Sequence, residues 1–355
     1  MSFGGLADRY SAGHESSSQR KRRVPMTATV DTGDMADLAA PYRRELLAHC
    51  YRMLGSVHDA EDAVQETMLR AWRGREGFES RSSVRVWLYR IATNACLRAL
   101  ERRARLPLPS GLGAPSADAD TSLERAADEA FWLEPAPDSL FVSDPADAVV
   151  DRAGVRLAFL SALQLLPARQ RAALILRDVY AFSAKETAEI LESTVASVNS
   201  ALQRARAQLE DARALAPDRP QEPTEPERRR QLERYLHAFE RADIEGLTRI
   251  LREDVRLEMP PYLTWFQGRE AVGRFLAGRV AVEGRRLRMV PIAANGLAGY
   301  ASYLRQGEGE GEDGAGDGDG VWAPHGIHLL EPTTEGLGGI HVFLQPSLFE
   351  LFGLR

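Results

Sequence analysis

Apolar positions along residues 165 to 208 recur at helical spacing in three short runs. Pro167 opens the first, in which Ala173, Leu174, Leu176 and Val179 form a buried stripe that ends near Tyr180. Ser183 stands three residues before Glu186, the spacing at which each side chain satisfies a backbone N–H at a helix start, so a second helix is expected from Ser183 to Leu191. After Glu192, Ser193 and Thr194, a third helix is expected with Ser197 as its N-cap. It turns Val198, Ala201, Leu202 and Ala205 inward and Asn199, Ser200, Gln203, Arg204 and Arg206 outward. A short helix, a tight turn and a longer helix with a polar, basic face predict a helix-turn-helix whose second member enters a DNA major groove. An ordinary helical hairpin with a solvated face fits the same pattern.

Upstream, residues 35 to 105 are helical in pattern almost throughout, punctuated by Gly55 and by the stretch from Gly74 to Gly77. The helix from Asp59 to Trp72 carries Asp59, Glu61, Asp62 and Glu66 in its N-terminal half, which suits the helix dipole. From Arg73 to Arg105 the sign reverses: nine arginines against three glutamates give a local charge of +6. Trp87 and Tyr89 lie among those arginines. Such a face suits unpaired DNA, because rings stack on bases while arginines track phosphates; an aromatic pair at this spacing fits a core equally well. Downstream of residue 227 the period changes. Two helices broken at Ala242 and Asp243 precede five alternating runs with turn glycines, predicting an α+β domain whose curved antiparallel sheet wraps its helices.

Composition divides the chain further. Residues 1 to 34 are Ser-, Gly- and Arg-rich without periodicity and read as a disordered tail, in which Met26 is a candidate start. Residues 107 to 150 hold nine acids and one Arg, −8 in all, and read as a flexible acidic linker. Within it, Phe131 to Phe141 (FWLEPAPDSLF) is too apolar for plain spacer and is expected to dock, on a partner or on the C-terminal domain. Residues 215 to 226 form a second, Pro-rich linker, and Gln306 to Gly320 a glycine- and acid-rich hairpin loop. Cys50 and Cys96 lie within helical patterns, which argues against a disulfide framework and for a reducing cytoplasm. No apolar run approaches the roughly 18 residues of a membrane span. The net charge of −6 is unusual for a free-standing DNA binder, since phosphate neutralisation supplies most non-specific affinity. DNA binding here requires local basic surfaces or delivery by a partner.

Three blocks in order, DAEDAVQETMLRAW, WLYRIATNACLRAL and LPARQRAALILRDVYAFSAKETAEIL with VNSALQRAR, resemble bacterial sigma factors of the extracytoplasmic function (ECF) group. The first two correspond to that family's region 2 (residues 35 to 106) and the last to region 4 (151 to 214). The resemblance implies two all-α domains and partners in core RNA polymerase, through its β′ clamp and β flap, and promoter DNA. It makes Asp59, Asp62, Gln65, Glu66 and Arg70 candidate polymerase contacts. The loop from Phe78 to Ser83, with Arg81, would capture a flipped base, and Arg90, Asn94 and Arg98 would hold the melted strand, beside the Trp87 that the basic, aromatic pattern already offers as a DNA contact. Ser197, Asn199, Ser200, Gln203, Arg204 and Arg206 would read the more distant promoter element. The chain departs from the family at Glu192, where a turn glycine is common, and at Asn199 and Ala201, where cations are common. Glu192 is therefore expected in a left-handed conformation. The resemblance also implies that the acidic linker threads the polymerase's positively charged channels.

Residues 227 to 355 resemble the SnoaL-like, ketosteroid-isomerase-like (NTF2-like) domains, which fold as a cone with an apolar pocket. Tyr235 falls where such isomerases have an oxyanion donor, but their general-base position falls on Met259, which takes no proton. Glu258 is adjacent and is expected to point away from the pocket. Tyr235, Met259, Trp265, Phe266 and Trp322 are candidates to wall a small-molecule pocket, and a plain domain core fits them equally. His325, His328 and His341 are expected to be structural, and no cofactor or metal is expected. The chain thus reads as a non-enzymatic, cytoplasmic transcription initiation factor with a C-terminal domain that regulates it in cis. The alternatives are a stand-alone helix-turn-helix regulator sensing a small molecule through the C-terminal pocket, and an isomerase or cyclase with a nucleic-acid-binding arm.

Overall fold

The computed structural model describes residues 39–74, 83–102, 105–127, 131–141, 156–214, 221–282, 286–306 and 321–354. The tail to residue 34, the hairpin loop after Gln306 and most of the Phe78 to Ser83 loop, Arg81 included, lie outside them. The first helical domain is α1 (Arg43–Leu54), α2 (Val57–Arg73) and α3 (Val84–Arg102). Gly55 ends α1 because it adopts φ 69°, a left-handed conformation that costs a residue with a Cβ. Ser56 then caps α2, its hydroxyl accepting from the Asp59 amide at 3.1 Å. The second helical domain is α4 (Leu157–Gln164), α5 (Ala168–Leu174, continued by a π turn over Ile175–Val179), α6 (Ala184–Ile190) and α7 (Val195–Ala214). The capping box at Ser183 and Glu186 forms as the spacing requires, at 3.2 and 2.8 Å. Glu192 adopts φ 48° in the turn. The N-cap of α7 is not Ser197 as its residue type suggested. Thr194 takes that place, its hydroxyl accepting from the Ser197 amide at 3.1 Å, so α7 starts a turn earlier and Ser197 lies in its first turn.

The C-terminal domain is α8 (Glu225–Glu240), α9 (Ile244–Arg249), β3 (Leu251–Glu258), β4 (Trp265–Gln267), α10 (Arg269–Val280), β5 (Leu287–Ala294), β6 (Leu297–Gln306), β7 (Val321–Thr333), β8 (Gly336–Phe343) and the short α11 (Leu348–Leu351). The short strands β1 (Arg105–Leu106) and β2 (Phe131–Trp132) pair with each other in the linker. The large sheet runs β4-β3-β8-β7-β6-β5, antiparallel throughout except that β3 lies parallel to β8. Helices α8 to α10 cover one face, where Tyr235, Phe239, Leu257, Met259, Phe266, Phe275, Met289 and Ile340 make one apolar cluster. Alternation along the strands gives the sheet a second apolar face: Ala294, Ala301, Tyr303, Ile327, Leu329 and Phe343. That face belongs to the same continuous core as both helical domains.

In the linker the apolar stretch Phe131 to Phe141 docks as expected, on region 2 and on the C-terminal domain, whereas the flexible spacer expected before it is not what the structure shows. The linker's described residues pack on the protein at intervals, with exposed stretches between them. Leu133, Ala136 and Phe141 are buried in the core shared by the helical domains and the sheet. Ala119 is buried in the cluster inside the cone. Acidic composition marks a chain that water can solvate, but small and apolar residues spaced along it, with free backbone donors, let the same chain pack.

Candidate nucleic-acid interface

Helix α7 presents Ser197, Asn199, Gln203, Arg204 and Arg206 to solvent, because Val198, Leu202, Ala205 and Leu209 occupy its buried stripe against α5. Ser200 is half-buried and accepts from Arg204 Nη1 at 2.6 Å. Arg206 forms a fork-shaped pair with Asp178 at 2.6 and 3.0 Å, which neutralises one of the few cations on this face. The face therefore offers amide and hydroxyl groups suited to base edges more than charge suited to phosphates.

On α3, Arg90, Asn94 and Arg98 are four residues apart and form one half-buried stripe. Trp87, expected to stack on an unpaired base, does not join them: it is only 7% exposed, packed within the core. An arginine-rich sequence carries no sign of which side of the helix faces water, and here the apolar residues Trp87, Leu88 and Tyr89 all serve the core.

The two helical domains pack directly on each other. Tyr89 meets Tyr180 and Phe182 edge-on at 5.1 and 4.9 Å between centroids. Arg85, paired with Glu45, lies over the Phe182 ring at 4.3 Å. Arg52 donates to the Tyr180 hydroxyl, and Arg171 of α5 donates to the Met53 carbonyl. Burial drives His49 down to about 3, helped by Arg52 and Arg85, so it sits neutral with Nε2 2.9 Å from Thr93 Oγ1. Asn94 Nδ2 donates to Glu192 Oε1 at 3.4 Å, which sets the turn of the helix-turn-helix over the middle of the α3 stripe.

Helix α2 carries a second surface, joined to the α3 stripe where Glu66 lies 4.0 Å from Arg98. Asp62, Gln65 and Arg70 are exposed, Asp59 and Glu66 half-buried, and Glu66 pairs with Arg70 at 2.5 Å. Leu69 and Trp72, which the charge pattern passed over, are 56% and 54% exposed on the same surface. Two large apolar side chains left in water beside charged residues are what a partner-binding surface looks like. Their signal in the sequence was an apolar position falling outside the Ala60, Ala63, Val64, Thr67, Ala71 stripe.

In the cone, Tyr235, Met259 and Phe266 come together as expected, but Trp265 does not: it pairs across the strands with Glu258 and is buried on the sheet face away from the cone interior, because neighbours along β4 alternate and Phe266 takes the inner side. Nor does Trp322: it lies on the opposite face of the sheet, in a shallow cleft with Arg288, Val290 and Tyr303. The Tyr235 hydroxyl is 2.9 Å from His328 Nδ1, and His328 Nε2 is 2.9 Å from Ser302 Oγ. Burial raises the Tyr235 phenol and lowers His328 to about 3, so both sit neutral in a closed network. Glu258 is 1% exposed and faces away from the cone interior. Its partner is His341, at 2.9 Å, and His341 also reaches Glu331 at 3.2 Å. Burial alone would lower His341, but the two carboxylates hold it up to about 9; burial pushes Glu258 up, and His341 with the Ser110 amide hold it below the usual range. Among the described residues there is no cluster of His, Cys, Asp and Glu suited to a metal, and no helix long and apolar enough to cross a membrane.

The domains that carry these surfaces match known families. Residues 38–106 match the Sigma-70 region 2 family, residues 156–209 the Sigma-70 region 4 family, and residues 232–335 the SnoaL-like domain. The chain is 46% identical over 326 residues to the ECF RNA polymerase sigma factor SigG of Mycobacterium tuberculosis, covering 91% of this chain and 84% of that protein. To SigJ of the same species it is 28% identical over 245 residues, 67% of this chain and 70% of that one. The crystal structure of Mycobacterium tuberculosis SigJ superposes with a TM-score of 0.55 at 22% identity, covering 90% of this chain and 99% of SigJ, so the architecture is shared. The three modules in this order, and an identity that runs through nearly the whole chain, place the protein in one family: it belongs to the ECF RNA polymerase sigma factors and carries a SnoaL-like C-terminal extension.

Proposed function

We propose that this sigma factor is regulated in cis by its SnoaL-like domain, which holds the two sigma domains in a closed arrangement until polymerase engages them. The observation that carries this reading is Asn295, fully buried at the tip of the β5–β6 hairpin. Its Oδ1 accepts from the Ala136 amide of the linker at 2.9 Å, and its Nδ2 donates to the Tyr51 hydroxyl of region 2 at 2.9 Å. Tyr51 in turn donates to the Glu134 carbonyl at 2.7 Å. Three modules meet at one polar point within the core. Polar groups so placed fix one geometry, because leaving them unpaired costs more than they gain when paired.

In the closed arrangement Asn94, the residue proposed to hold the melted strand with Arg90 and Arg98, faces Glu192 of region 4. Promoter opening through that stripe requires region 4 to leave it. The surface of Asp59, Asp62, Gln65, Glu66 and Arg70, widened by Leu69 and Trp72, is proposed to meet the polymerase clamp, and α7 to read the distant promoter element. A bias of about 1.4 kcal/mol towards the closed form already changes the competent fraction tenfold. Run-off transcription with core polymerase tests the reading, using the chain with and without residues 227 to 355. Output at equal concentration is expected to rise several-fold on removal of the domain; unchanged output from a folded truncated chain overturns it.

A further inference from the structure

The interior of the cone is already occupied. Linker residues 110 to 126 run into its mouth and back out, and their backbone is satisfied by the C-terminal domain. The Ser110 amide donates to Glu258 Oε1 at 2.8 Å, and Trp265 Nε1 donates to the Gly113 carbonyl at 3.0 Å. The Ser116 amide donates to the Trp265 carbonyl at 2.8 Å. Ala119 then enters the apolar cluster of Tyr235, Met259 and Phe266, with Leu123 packed against it. On the way out, the Glu124 amide donates to Thr264 Oγ1 and the Leu263 amide to the Glu124 carbonyl, each at 2.7 Å. The Arg125 to Tyr262 bridge and the Ala126 amide on the Pro261 carbonyl, at 3.1 Å, complete an antiparallel pairing.

Main-chain pairing along an exposed segment, with a pocket for alternate side chains, is how domains bind extended peptides. We infer that the rim of the SnoaL-like cone, formed by Glu258 and Trp265 on the outer face of the sheet, residues 261 to 264 at its edge and the apolar cluster within, is a peptide-binding site whose occupant is this chain's own linker, residues 110 to 126. The ligand class is a looped peptide that turns at a small apolar residue and presents a larger one four positions on, as Ala119 and Leu123 do. The geometry of the site fits a peptide better than a small apolar molecule, because Ser116, Glu124 and Ala126 find backbone or hydroxyl partners along the rim and not inside the cone. A peptide held there by six hydrogen bonds is withheld from any other channel. The site thus deepens the regulatory reading above, and rests on that reading only for its consequence in transcription.

A fluorescent peptide of residues 107 to 127 tests the site on the full chain. In the wild type the resident linker competes at high effective concentration, so the peptide is expected to bind poorly. In the double variant Ala119→Asp, Leu123→Asp the resident segment is expelled, and anisotropy is expected to report binding at least tenfold tighter than to the wild type. Adding Trp265→Ala to that variant should abolish it. Equal binding to wild type and variant, or no binding to either, overturns the site. Trp265→Phe, which keeps the ring and deletes only its N–H, provides a check that does not depend on the charged variants folding. Hydrogen exchange at the Ser116 amide should quicken several-fold in it, and unchanged protection counts against the site. Run-off transcription on the same proteins separates the two claims. Peptide exchange with unaltered transcription would remove the regulatory reading and leave the peptide site standing.

Discussion

The two halves of the acidic linker differ in how they are held. Residues 110 to 126 pair by backbone with one body, the SnoaL-like domain, and send a single alanine and a half-buried leucine inside. Residues 131 to 141 bridge two bodies. The Glu134 amide donates to the Gly55 carbonyl at 2.8 Å, and its carboxylate accepts from the Val57 amide at 3.1 Å, capping α2. Phe141 stacks on Tyr51 at 5.2 Å, and Pro137 bridges to Ala294. The first half can leave its groove without parting region 2 from the C-terminal sheet; the second cannot. One linker thus combines a detachable segment with a joint, and the difference follows from whether its partners sit on one module or on two.

The joint should break with the largest effect. Asn295→Ala strands the Ala136 amide and one face of the Tyr51 hydroxyl, and puts a Cβ residue of no polar reach at φ 53°. Two buried groups left unpaired, plus the left-handed cost, destabilise by about 3 kcal/mol or more in guanidinium titration. Asn295→Gly keeps the backbone conformation and should recover about 1 kcal/mol of that. If the two variants were equally stable, the backbone would contribute nothing at this turn.

A titration sharpens the contrast at the other half. His341 holds its proton up to about 9, above its free value of 6.5. Its contribution to stability is therefore complete below pH 6.5 and is lost as pH rises through 9. Glu258 works in the opposite sense, its contribution being lost as pH falls into the acid range. Stability should decline by about 2 to 3 kcal/mol between pH 7 and 10, and His341→Gln should flatten that limb. A decline of equal size in His341→Gln would assign it to other groups.

Releasing the first half should cost less. Arg125 is an exposed tryptic site whose backbone is paired with Tyr262. In Ala119→Asp, cleavage after Arg125 is expected to quicken about tenfold, the equivalent of about 1.4 kcal/mol. Protection of the Glu134 amide should stay as it was. A matching rise at Glu134 would mean that the halves move as one unit.

The smallest effect is expected at Glu192→Gly. Removing a Cβ from φ 48° stabilises the turn by roughly 1 kcal/mol, offset in part by loss of the 3.4 Å bond to Asn94. Thermal denaturation should show a net gain of a few degrees or less. A marked loss of stability would make the Asn94 contact stronger than its length allows.

The sequence carried the elements whose physics is local. The Ser183 and Glu186 capping box, the buried stripe of α7 and the alternation of the C-terminal strands were readable from spacing, and the left-handed turn at Glu192 from the glycine common at that place in the family. Even the Asn295-Gly296 hairpin turn has a readable signature, since both residues take positive φ there. What spacing does not carry is which distant groups meet. Tyr51 and Asn295 are 244 positions apart, and nothing in either neighbourhood announces the other. Trp87 went astray for a related reason: an aromatic among arginines fits a stacking surface or a core, and what decides is its packing in region 2, where it lies against the end of α2 at Gly74. The docking of Phe131 to Phe141 was legible in its apolar content, but that of residues 110 to 126 was not, because net charge describes solvation and does not count a lone small residue or backbone donors.

The claim on which the rest depends is that the SnoaL-like domain restrains the sigma domains through the joint at Asn295. Run-off transcription from the full-length chain, wild type against Asn295→Gly, at equal concentration with core polymerase, tests it most directly. Output from Asn295→Gly is expected to be several-fold higher, with its secondary structure intact. Equal or lower output from the folded variant would contradict it.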